Sequence, residues 1–587
     1  MHCSRHLTVI VALLVSLQIG WATDWPQWRY DAGHGAATPH ALPRQMHLQW
    51  SIQLEDPRPS WPTTQSKLGF DLATEPVVSD GRIFVPSSMR GTVSAYDTKN
   101  GKELWKFFAE GAVRFAPVST KGKVWFVSDD GHLYCLRAQD GKLLWKFNGG
   151  PFERWALGHG RLVSTWPARG GPVYRDGKVW FAASIWPFMG IFVHCLEAET
   201  GRLLWTNSGE GMNYTVQPHG APSFATVAPQ GHLTLSENRL IVPGGRSTPA
   251  VFQADTGKLE HFKYDKKRGH YRVYAGGEYY FVDKGRYQIA DGKNLGESTP
   301  KIIGENYTVS QKGDKLTAHK LAGQLQTRKV KDRKGKTVEE TNFTLDTIWS
   351  AEIKKSEGEI FLQAGGRLYS GSEDQINSFE VTDLKTGKSA SSWSAKIKGI
   401  PWAMLAADAR LFVVTKENQI FCFGAEKREP VHHLASSAKQ PAPEPSPTEQ
   451  IQNVLAQISS KDGFALLLGT EKSSIDVLLN ETNLQLIVVG SDSEIVETLR
   501  RHYDAAGLYG DRVNIFYNQN PADFPVAPYF ADLVLVSQKI ASQLKQDALK
   551  KISQSVRPYG GLLCLLHKSE SITKQLSTLP QFHIKEA

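Results

Sequence analysis

Residues 91–107 read GTVSAYDTKNGKELWKF, residues 131–147 read GHLYCLRAQDGKLLWKF, and residues 191–207 read IFVHCLEAETGRLLWTN. Each stretch contains an alternating apolar strand, a polar turn that closes on a glycine, and a second strand that reaches a tryptophan. Asn-Gly and Asp-Gly supply the positive φ that a tight β-turn needs, so each stretch predicts a β-hairpin. Weaker copies are PAVFQADTGKLEHF at 249–262 and INSFEVTDLKTGKSASSW at 376–393.

A second strand pair precedes most copies, as in GRIFVPSS at 81–88 and GKVWFVSD at 122–129. Four short strands per unit, at a spacing of about 40 residues, are typical of a propeller blade. The sequence therefore predicts an all-β propeller of seven or eight four-stranded blades. Cys135 and Cys195 fall at the position that Ala95, Val251 and Val381 hold in other copies. Because equivalent strands of different blades lie far apart, these thiols are expected to be free and buried.

The repeat resembles that of pyrroloquinoline-quinone (PQQ) propellers and of the propeller subunit of the outer-membrane β-barrel assembly machinery. The stretch DWPQWRYDAGHG at 24–35 is similar to the start of exported proteins of this group, and the resemblance covers Asp24 to about Lys427. For a quinone-dependent dehydrogenase it implies a calcium-bound quinone at the propeller centre beside a disulfide between adjacent cysteines. No two cysteines are adjacent in this sequence, so PQQ is not expected as a cofactor.

The N-terminus carries the pattern of a secretory signal peptide. Arg5 and His6 precede an apolar run from Leu7 to Gly20, and small residues at Gly20 and Ala22 favour cleavage after Ala22. The run is shorter than the roughly 20 residues that cross a bilayer, and no later run approaches that length. We therefore predict a signal peptide at 1–22 and export to a periplasm or beyond, without a transmembrane segment after cleavage.

Composition and patterning divide the 587 residues into two domains. Hydrophobic residues make up 41% of the chain and charged residues 22%, which excludes a mainly disordered or fibrous protein. Alternating prolines at 441–447 indicate an extended spacer. We predict the propeller at 23–432, a Pro-rich linker at 433–449, and a smaller doubly wound α/β, Rossmann-like domain at 450–587. In the last region apolar runs such as LQLIVVG and ADLVLVS alternate with helical stretches.

The order of these elements resembles the S-adenosylmethionine (SAM)-dependent methyltransferase fold over residues 451–587. In that family a glycine-rich loop follows the first strand. Here Gly469 fits the first glycine, but Glu471 and Ser473 stand where further glycines are expected. The resemblance places Asp492 at the ribose hydroxyls, whereas Asn520 replaces the acidic residue near the adenine. It therefore implies a degenerate cofactor site in an incomplete methyltransferase-like domain, and SAM is disfavoured as a cofactor.

Long insertions between propeller strands contain the candidate binding residues. Loops on a rigid β-scaffold commonly carry recognition, and aromatic and guanidinium groups suit it. The candidates are Trp166, Arg169, Trp186, Arg246 and Trp402. The alternative is that these insertions only cap the blades. The basic run Lys320 to Lys336 predicts a solvated loop, with an anionic partner such as nucleic acid or lipid headgroups as its alternative.

The motif search yields neither catalytic nor metal-ligating residues. The sequence has no HExxH, paired CxxC or GxSxG pattern. We therefore expect an exported scaffold that binds an envelope protein or a saccharide through its propeller, with no nucleic-acid partner. The alternatives are a SAM-dependent methyltransferase acting through the C-terminal domain and, second, a PQQ-dependent dehydrogenase.

Overall fold

A computed structural model describes residues 24–567, apart from 210–213, 217–219, 221, 225, 264–267, 332–336 and 435–448, together with positions 574 and 576. The predicted signal peptide and most of the predicted linker lie outside these residues. The described part of the chain forms an eight-bladed β-propeller and a five-stranded parallel sheet with helices. The prediction of seven or eight blades is confirmed, and the number is eight.

The first half of the propeller contains β1 (Ala37–Thr38), β2 (His47–Gln53), β3 (Val77–Ser79), β4 (Arg82–Ser87), β5 (Thr92–Asp97), β6 (Glu103–Phe108), β7 (Val118–Thr120), β8 (Lys123–Val127), β9 (His132–Arg137), β10 (Leu143–Asn148), β11 (Trp155–Gly158), β12 (Arg161–Ser164), β13 (Gly170–Arg175), β14 (Lys178–Ala183), β15 (Phe192–Glu197), β16 (Leu203–Asn207), β17 (Tyr214–Val216), β18 (Pro222–Phe224), β19 (Gly231–His232), β20 (Thr234–Ser236), β21 (Arg239–Gly244), β22 (Ser247–Gln253) and β23 (Leu259–His261). Blades 1 to 4 are β3–β6, β7–β10, β13–β16 and β20–β23. The hairpins β11–β12 and β17–β18 are insertions on either side of blade 3.

The second half contains β24 (Val273–Gly276), β25 (Tyr279–Val282), β26 (Gly285–Gln288), β27 (Asn294–Glu297), β28 (Pro300–Ile303), β29 (Tyr307–Lys312), β30 (Lys315–Lys331), β31 (Thr337–Glu352), β32 (Glu359–Ala364), β33 (Arg367–Ser372), β34 (Gln375–Glu380), the short helix α1 (Val381–Lys385), β35 (Trp393–Lys396), β36 (Pro401–Ala407), β37 (Arg410–Thr415), β38 (Gln419–Gly424) and β39 (Val431–His433). Blades 5 to 7 are β24–β27, β28–β31 and β32–β35. Blade 8 consists of β36, β37, β38 and the early strand β2. The ring is therefore closed by pairing the beginning of the propeller with its end.

The repeated tryptophan of the outer strand packs against the next blade. Trp145 on β10 donates its Nε1–H to the carbonyl oxygen of Glu199 at 3.2 Å, and its ring covers Gly201 in the following blade. A Cβ atom at Gly201 would lie 2.6 Å from that ring, so only glycine fits there. Trp50, Trp105 and Trp205 make the same contact with Gly101, Gly141 and Gly257. The repeat is thus an inter-blade packing unit.

The cysteines of the repeat stand opposite these tryptophans. Cys135 pairs with Trp145, Cys195 with Trp205 and Cys422 with Trp50, and all three thiols are free and buried as expected. The alignment of Val381 with them was wrong, because α1 lengthens this turn and Trp393 pairs with Ser378 instead. Cys564, near the end of the chain, is also free but only half-buried.

The basic run does not form a loop where the structure describes it. Lys320, Lys329 and Lys331 lie on β30, which pairs with β31 in one long hairpin that leaves blade 6. All three side chains are exposed, so the expectation of solvation holds for them. At the base of the hairpin the guanidinium of Arg286 lies 5.1 Å from the ring of Tyr279 and 5.2 Å from that of Phe343.

The C-terminal region contains α2 (Glu449–Gln457), β40 (Phe464–Leu468), α3 (Lys472–Glu481), β41 (Gln485–Gly490), α4 (Ser493–Ala505), β42 (Val513–Tyr517), β43 (Leu533–Val536), α5 (Gln538–Ala541), α6 (Gln546–Ser555) and β44 (Leu562–Leu565). Its strands are all parallel, in the order β42-β41-β40-β43-β44. Each of the inner strands is apolar on both faces and buried between two hydrophobic clusters.

The propeller packs against the outer edge of this sheet. Trp155 of the β11–β12 hairpin contacts Phe516 and Phe524 on one face, and Phe108 of β6 contacts Tyr509 on the other. Backbone bonds join Trp155 to Pro525 and Ala527. The edge strand β42 is therefore covered by propeller residues.

Candidate functional site

One end of the propeller channel is closed by the N-terminal segment 24–38. This segment hydrogen-bonds in turn with blades 1 to 7, through Trp25 to Val78, Pro26 to Ser119, Gln27 to Tyr174, Ala32 to Leu235, Gly33 to Ala275, Gly35 to Ile303 and Ala36 to Gln363. Trp25 and Trp28 are almost fully buried. The segment therefore links seven blades and fills the axis of the ring.

The opposite end carries the long connections, and we call it the loop face. Strand alternation brings the connections 54–76, 149–169, 184–191 and 208–233 to this end. Segment 54–76 crosses the face toward blades 4 and 5, where Leu68 covers Gly245 and Lys67 pairs with Asp283 at 3.1 Å. The channel is thus narrowed at both ends.

A small cavity of about 90 Å³ remains between the two coverings, and we call it the central cavity. Arg29, Glu75, Arg272, Lys301 and Trp402 contribute its polar groups. Trp402 donates its Nε1–H to Glu75 Oε1 at 2.9 Å. The guanidinium of Arg272 lies 5.0 Å from the ring centre of Trp402 and 5.3 Å from that of Tyr271.

Burial controls protonation around this cavity. Desolvation raises the pKa of Glu75 to about 7, although Arg272, Trp402 and Arg29 act in the opposite direction. His34 is fully buried against Trp28, which lines the cavity, and desolvation lowers the pKa of His34 to about 3. At neutral pH Glu75 is therefore partly protonated, and His34 is neutral.

Arg169 belongs to a buried ion network under the loop face. Its Nε donates to Asp129 Oδ1 at 2.6 Å, and Arg114 Nε donates to Asp129 Oδ2 at 2.7 Å. Desolvation opposes the charge of Asp129, but the two guanidinium groups lower its pKa to about 2. Arg169 is 1% exposed, so its guanidinium faces the protein interior and not a binding partner.

Trp186 is the most exposed of the predicted tryptophans. It is 46% exposed, beside Phe188 at 66% and Phe152 at 56%. Its ring centre lies 6.5 Å from that of Trp61 and 6.0 Å from that of Phe188. We call Trp61, Phe152, Trp186 and Phe188 the aromatic surface.

Trp166 supports the aromatic surface from below. It is 4% exposed, its Nε1–H donates to the carbonyl oxygen of Met189 at 2.8 Å, and its ring contacts Phe152 edge-on at 4.7 Å. The hydrogen bond from Trp166 to Met189 joins the connections 149–169 and 184–191. Arg246 is exposed in the β21–β22 turn on the same face. Of the five predicted residues, Trp166 and Trp186 thus lie together, whereas Trp402 lines the central cavity.

The predicted cofactor residues of the C-terminal region lie near the ends of the parallel strands. Gly469 follows β40 with a φ of 134°, and a Cβ there would lie 2.4 Å from the Glu471 carboxylate. The cavity beside them measures about 10 Å³. Asp492 accepts from the backbone N–H groups of Glu494 and Ile495 as the N-cap of α4. Asn520 donates to Asp523 at 2.6 Å, so both polar side chains have local partners.

Neither a metal-binding cluster nor a membrane-spanning helix occurs among the described residues. No group of three or more His, Cys, Asp or Glu side chains there is arranged to hold a metal ion. None of the described helices combines the length and the apolar character needed to cross a bilayer.

Comparison with known proteins gives one family match. Residues 42–153 match the family model of the outer membrane protein assembly factor BamB. This stretch covers blades 1 and 2 together with β2 and segment 54–76. No protein with a curated description matches the chain.

Several solved structures share low similarity with the chain. Quinohemoprotein alcohol dehydrogenase from Comamonas testosteroni is 15% identical, with a TM-score of 0.43 over 71% of this chain and 83% of the other. BamB from Moraxella catarrhalis is 12% identical, with a TM-score of 0.30 over 59% of this chain and 83% of the other. The designed protein Ika8 is 14% identical, with a TM-score of 0.40 over 65% of this chain and all of the other.

Several residues of these sites carry no signal in the sequence that was used to predict them. Glu75, Arg272 and Arg29 come from three distant parts of the chain and meet only in the folded ring. Phe188 and Phe152 lie within the insertions that the sequence predicts to carry binding residues, but the predicted residues there are only Trp and Arg. Blade 5 was also missed, although its Asp291-Gly292 turn carries the hairpin signal of the repeat.

Proposed function

We propose that this protein is an exported scaffold that binds another protein of the cell envelope through the aromatic surface of its propeller. The main support is that Trp186, Phe188 and Phe152 are exposed on the loop face. Exposed clusters of large apolar side chains mark interaction sites in soluble proteins, and aromatic residues supply much of the binding energy at such sites. Export rests on the N-terminal sequence pattern and on the match to an outer membrane assembly factor.

A protein partner is favoured over a saccharide by the chemistry of this surface. Phe152 and Phe188 are its most exposed members, and phenylalanine has no hydrogen-bonding group for sugar hydroxyls. The loops beneath are held by the Trp166 to Met189 bond and by the ion network around Asp129. A pre-ordered aromatic surface loses little conformational entropy when a partner binds.

The size of the central cavity argues against a dehydrogenase. Pockets that enclose drug-sized ligands measure about 300–1,000 Å³. The central cavity is well below that range at about 90 Å³, and Trp25 and Trp28 occupy the channel beside it. Dye reduction with an alcohol, after addition of quinone and calcium, tests this second alternative.

We also propose that the C-terminal region is a Rossmann-like unit of methyltransferase type that has lost cofactor binding and serves in contact with the propeller. The parallel strand order supports this proposal, as does the crowding of Gly469 by Glu471. Heat on titration of SAM into the full chain would contradict it and favour the methyltransferase alternative.

A co-purification experiment with envelope extract tests the main proposal. The W186A/F188A double variant should lose a stoichiometric protein partner that the unaltered chain retains. The Y529A/Y559A variant is the matched control, because it removes two exposed aromatic rings on the C-terminal region. Equal recovery by both variants would refute the assignment to the aromatic surface. Recovery of soluble glycan instead of protein would favour the saccharide.

A further inference from the structure

We propose that the central cavity binds a carboxylate group, held between the guanidinium of Arg272 and the polar groups of Arg29 and Glu75. This site is separate from the aromatic surface, and the inference goes beyond the proposed scaffold function. It rests on a cavity, on two half-buried guanidinium groups that line it without an ion pair to any described residue, and on an opening to solvent.

The first step concerns the cations of the cavity. Among the described residues, neither Arg272 nor Arg29 has a carboxylate oxygen within 4 Å of its side-chain nitrogens. Arg29 donates to the backbone carbonyls of His34 and Lys301, which carry no net charge. Both guanidinium groups are half-buried, and charges shielded from water are normally paired because desolvation without compensation is costly. Two guanidinium groups at one cavity therefore favour an anion.

The second step concerns the shape of the recognition group. The Arg272 guanidinium lies between the rings of Trp402 and Tyr271, which restrict its plane. A fixed guanidinium presents paired N–H donors whose spacing matches the two oxygens of a carboxylate. The carboxyl of Glu75 is kept nearby by Trp402 and, when protonated, can donate a hydrogen bond to such an oxygen.

The central cavity opens to solvent beside two charged side chains. Lys301 and Glu359 line the cavity and form an ion pair at 2.8 Å. Their side chains are 32% and 70% exposed, so this pair stands at the opening. Lys301 and Glu359 together are neutral, so the net positive charge of the cavity comes from Arg29 and Arg272 in its interior. The cavity of about 90 Å³ has room for a group of a few atoms.

Two sources can supply this chemistry, namely a small free acid and the C-terminus of a polypeptide. Isothermal titration of the full-length mature protein with acetate, with acetamide, with trialanine and with trialanine amide distinguishes them. Acetate should bind and acetamide should not. Tighter binding of trialanine than of its amide would identify a chain terminus, and binding of acetate alone would identify a free acid.

Variants locate the site. R272Q should weaken acetate binding by about tenfold or more, because it removes a charged bidentate donor. R246Q is the matched control, since it removes an exposed guanidinium on the loop face, and it should bind acetate normally. Circular dichroism establishes that both variants are folded. If R272Q does not fold, E75Q is measured instead. The unaltered protein should lose acetate affinity as the pH rises through 7, and E75Q should not show this loss.

The proposal is overturned if acetate gives no heat at tens of millimolar, if acetamide binds equally well, or if R272Q and E75Q both leave binding and its pH dependence unchanged. The groups that face Glu75 are Arg29 from the N-terminal segment, Arg272 before β24, and Lys301 and Glu359 from β28 and β32. The arginines stay charged over this range, and the Lys301–Glu359 pair is common to all variants.

Discussion

The contact between each repeat tryptophan and the next blade illustrates how single residues hold the ring together. Trp145 has its ring on Gly201 and its Nε1–H on the carbonyl of Glu199, whereas its neighbour Leu144 is 43% exposed. Two adjacent apolar residues on one edge strand thus have opposite roles. One joins two blades, and the other faces solvent.

Replacing Trp145 by alanine should lower the free energy of unfolding by about 2 to 4 kcal/mol, since it removes a large inter-blade contact and a hydrogen bond. The L144A variant should change it by less than about 0.5 kcal/mol, as is usual for exposed positions. Urea denaturation followed by circular dichroism measures both. Similar losses in the two variants would contradict the assigned contact.

Glu75 makes the free energy of unfolding depend on pH, with a sign opposite to that of an ordinary surface carboxylate. Its pKa is about 7 in the folded chain and about 4.5 when unfolded, so the folded state binds the proton more tightly. The protonated Glu75 therefore stabilises the folded state in full below pH 4.5, and this stabilisation is lost as the pH rises toward 7. The free energy lost is about 1.4 kcal/mol for each unit by which the two pKa values differ. The E75Q variant lacks this loss.

The stability of E75Q minus that of the unaltered protein should accordingly increase from pH 4.5 to pH 7.5. His34 acts in the opposite direction, because its pKa of about 3 lies below the ordinary 6.5 and its contribution is lost as the pH falls. That effect is common to both proteins and cancels in the difference. A difference that stays constant across the range would contradict a raised pKa at Glu75.

At the scale of elements, the N-terminal segment 24–38 runs across the inner strands of seven blades. It bonds to seven blades in turn, and β2 then completes the eighth. Propeller blades pair only within themselves, so a segment that crosses many of them opposes opening of the ring. Its Trp28 stacks on His232 at 4.3 Å along the channel axis.

Deletion of residues 24–38 should lower the Tm by on the order of 10 °C or more, because two buried tryptophans and several inter-blade hydrogen bonds are lost together. The W28A variant should produce part of that decrease. H40A is the control, since His40 is exposed just beyond the segment, and it should leave the Tm unchanged. Differential scanning calorimetry gives all three values. An unaltered Tm after the deletion would show that the ring closes without this segment.

At the scale of the whole molecule, apolar and charged contacts join the propeller to the C-terminal sheet. Trp155 and Phe108 contact opposite faces of that sheet. Around them Arg500 pairs with Glu110 at 3.3 Å and Lys106 with Asp504 at 2.8 Å. The buried Arg161 donates to the carbonyl oxygen of Gly510 at 3.1 Å. The two units therefore share part of their cores.

Thermal unfolding of the full chain should show one transition that includes both units. The W155A variant should separate it into two, since it removes the largest shared apolar contact while leaving each core otherwise intact. W186A is the matched control, because Trp186 lies on the loop face without contacting the C-terminal sheet, and it should retain the single transition. Two transitions in the unaltered protein would contradict the shared core.

The sequence by itself determined the blades. Turn glycines, alternating strands and the tryptophan at a constant distance after each turn are local signals that recur along the chain, so they predicted the propeller and its free cysteines. The insertions between the repeats predicted one member of the aromatic surface, Trp186, and Trp166, which supports it. The sequence did not identify blade 5 or blade 6, and the outer strands of blade 6 extend into a long hairpin without the repeat signature.

Only the tertiary structure decided which polar residues meet. In the sequence, Arg169 and Trp166 are equivalent candidates from one insertion. In the structure, Arg169 pairs with Asp129, whereas Trp166 supports the exposed ring of Phe152. Glu75, Arg272 and Arg29 form one cavity although nearly 250 positions separate the first and last of them along the sequence. The physical reason is that turn and strand preferences act over a few residues, whereas desolvation and charge pairing depend on which segments the closed ring brings together.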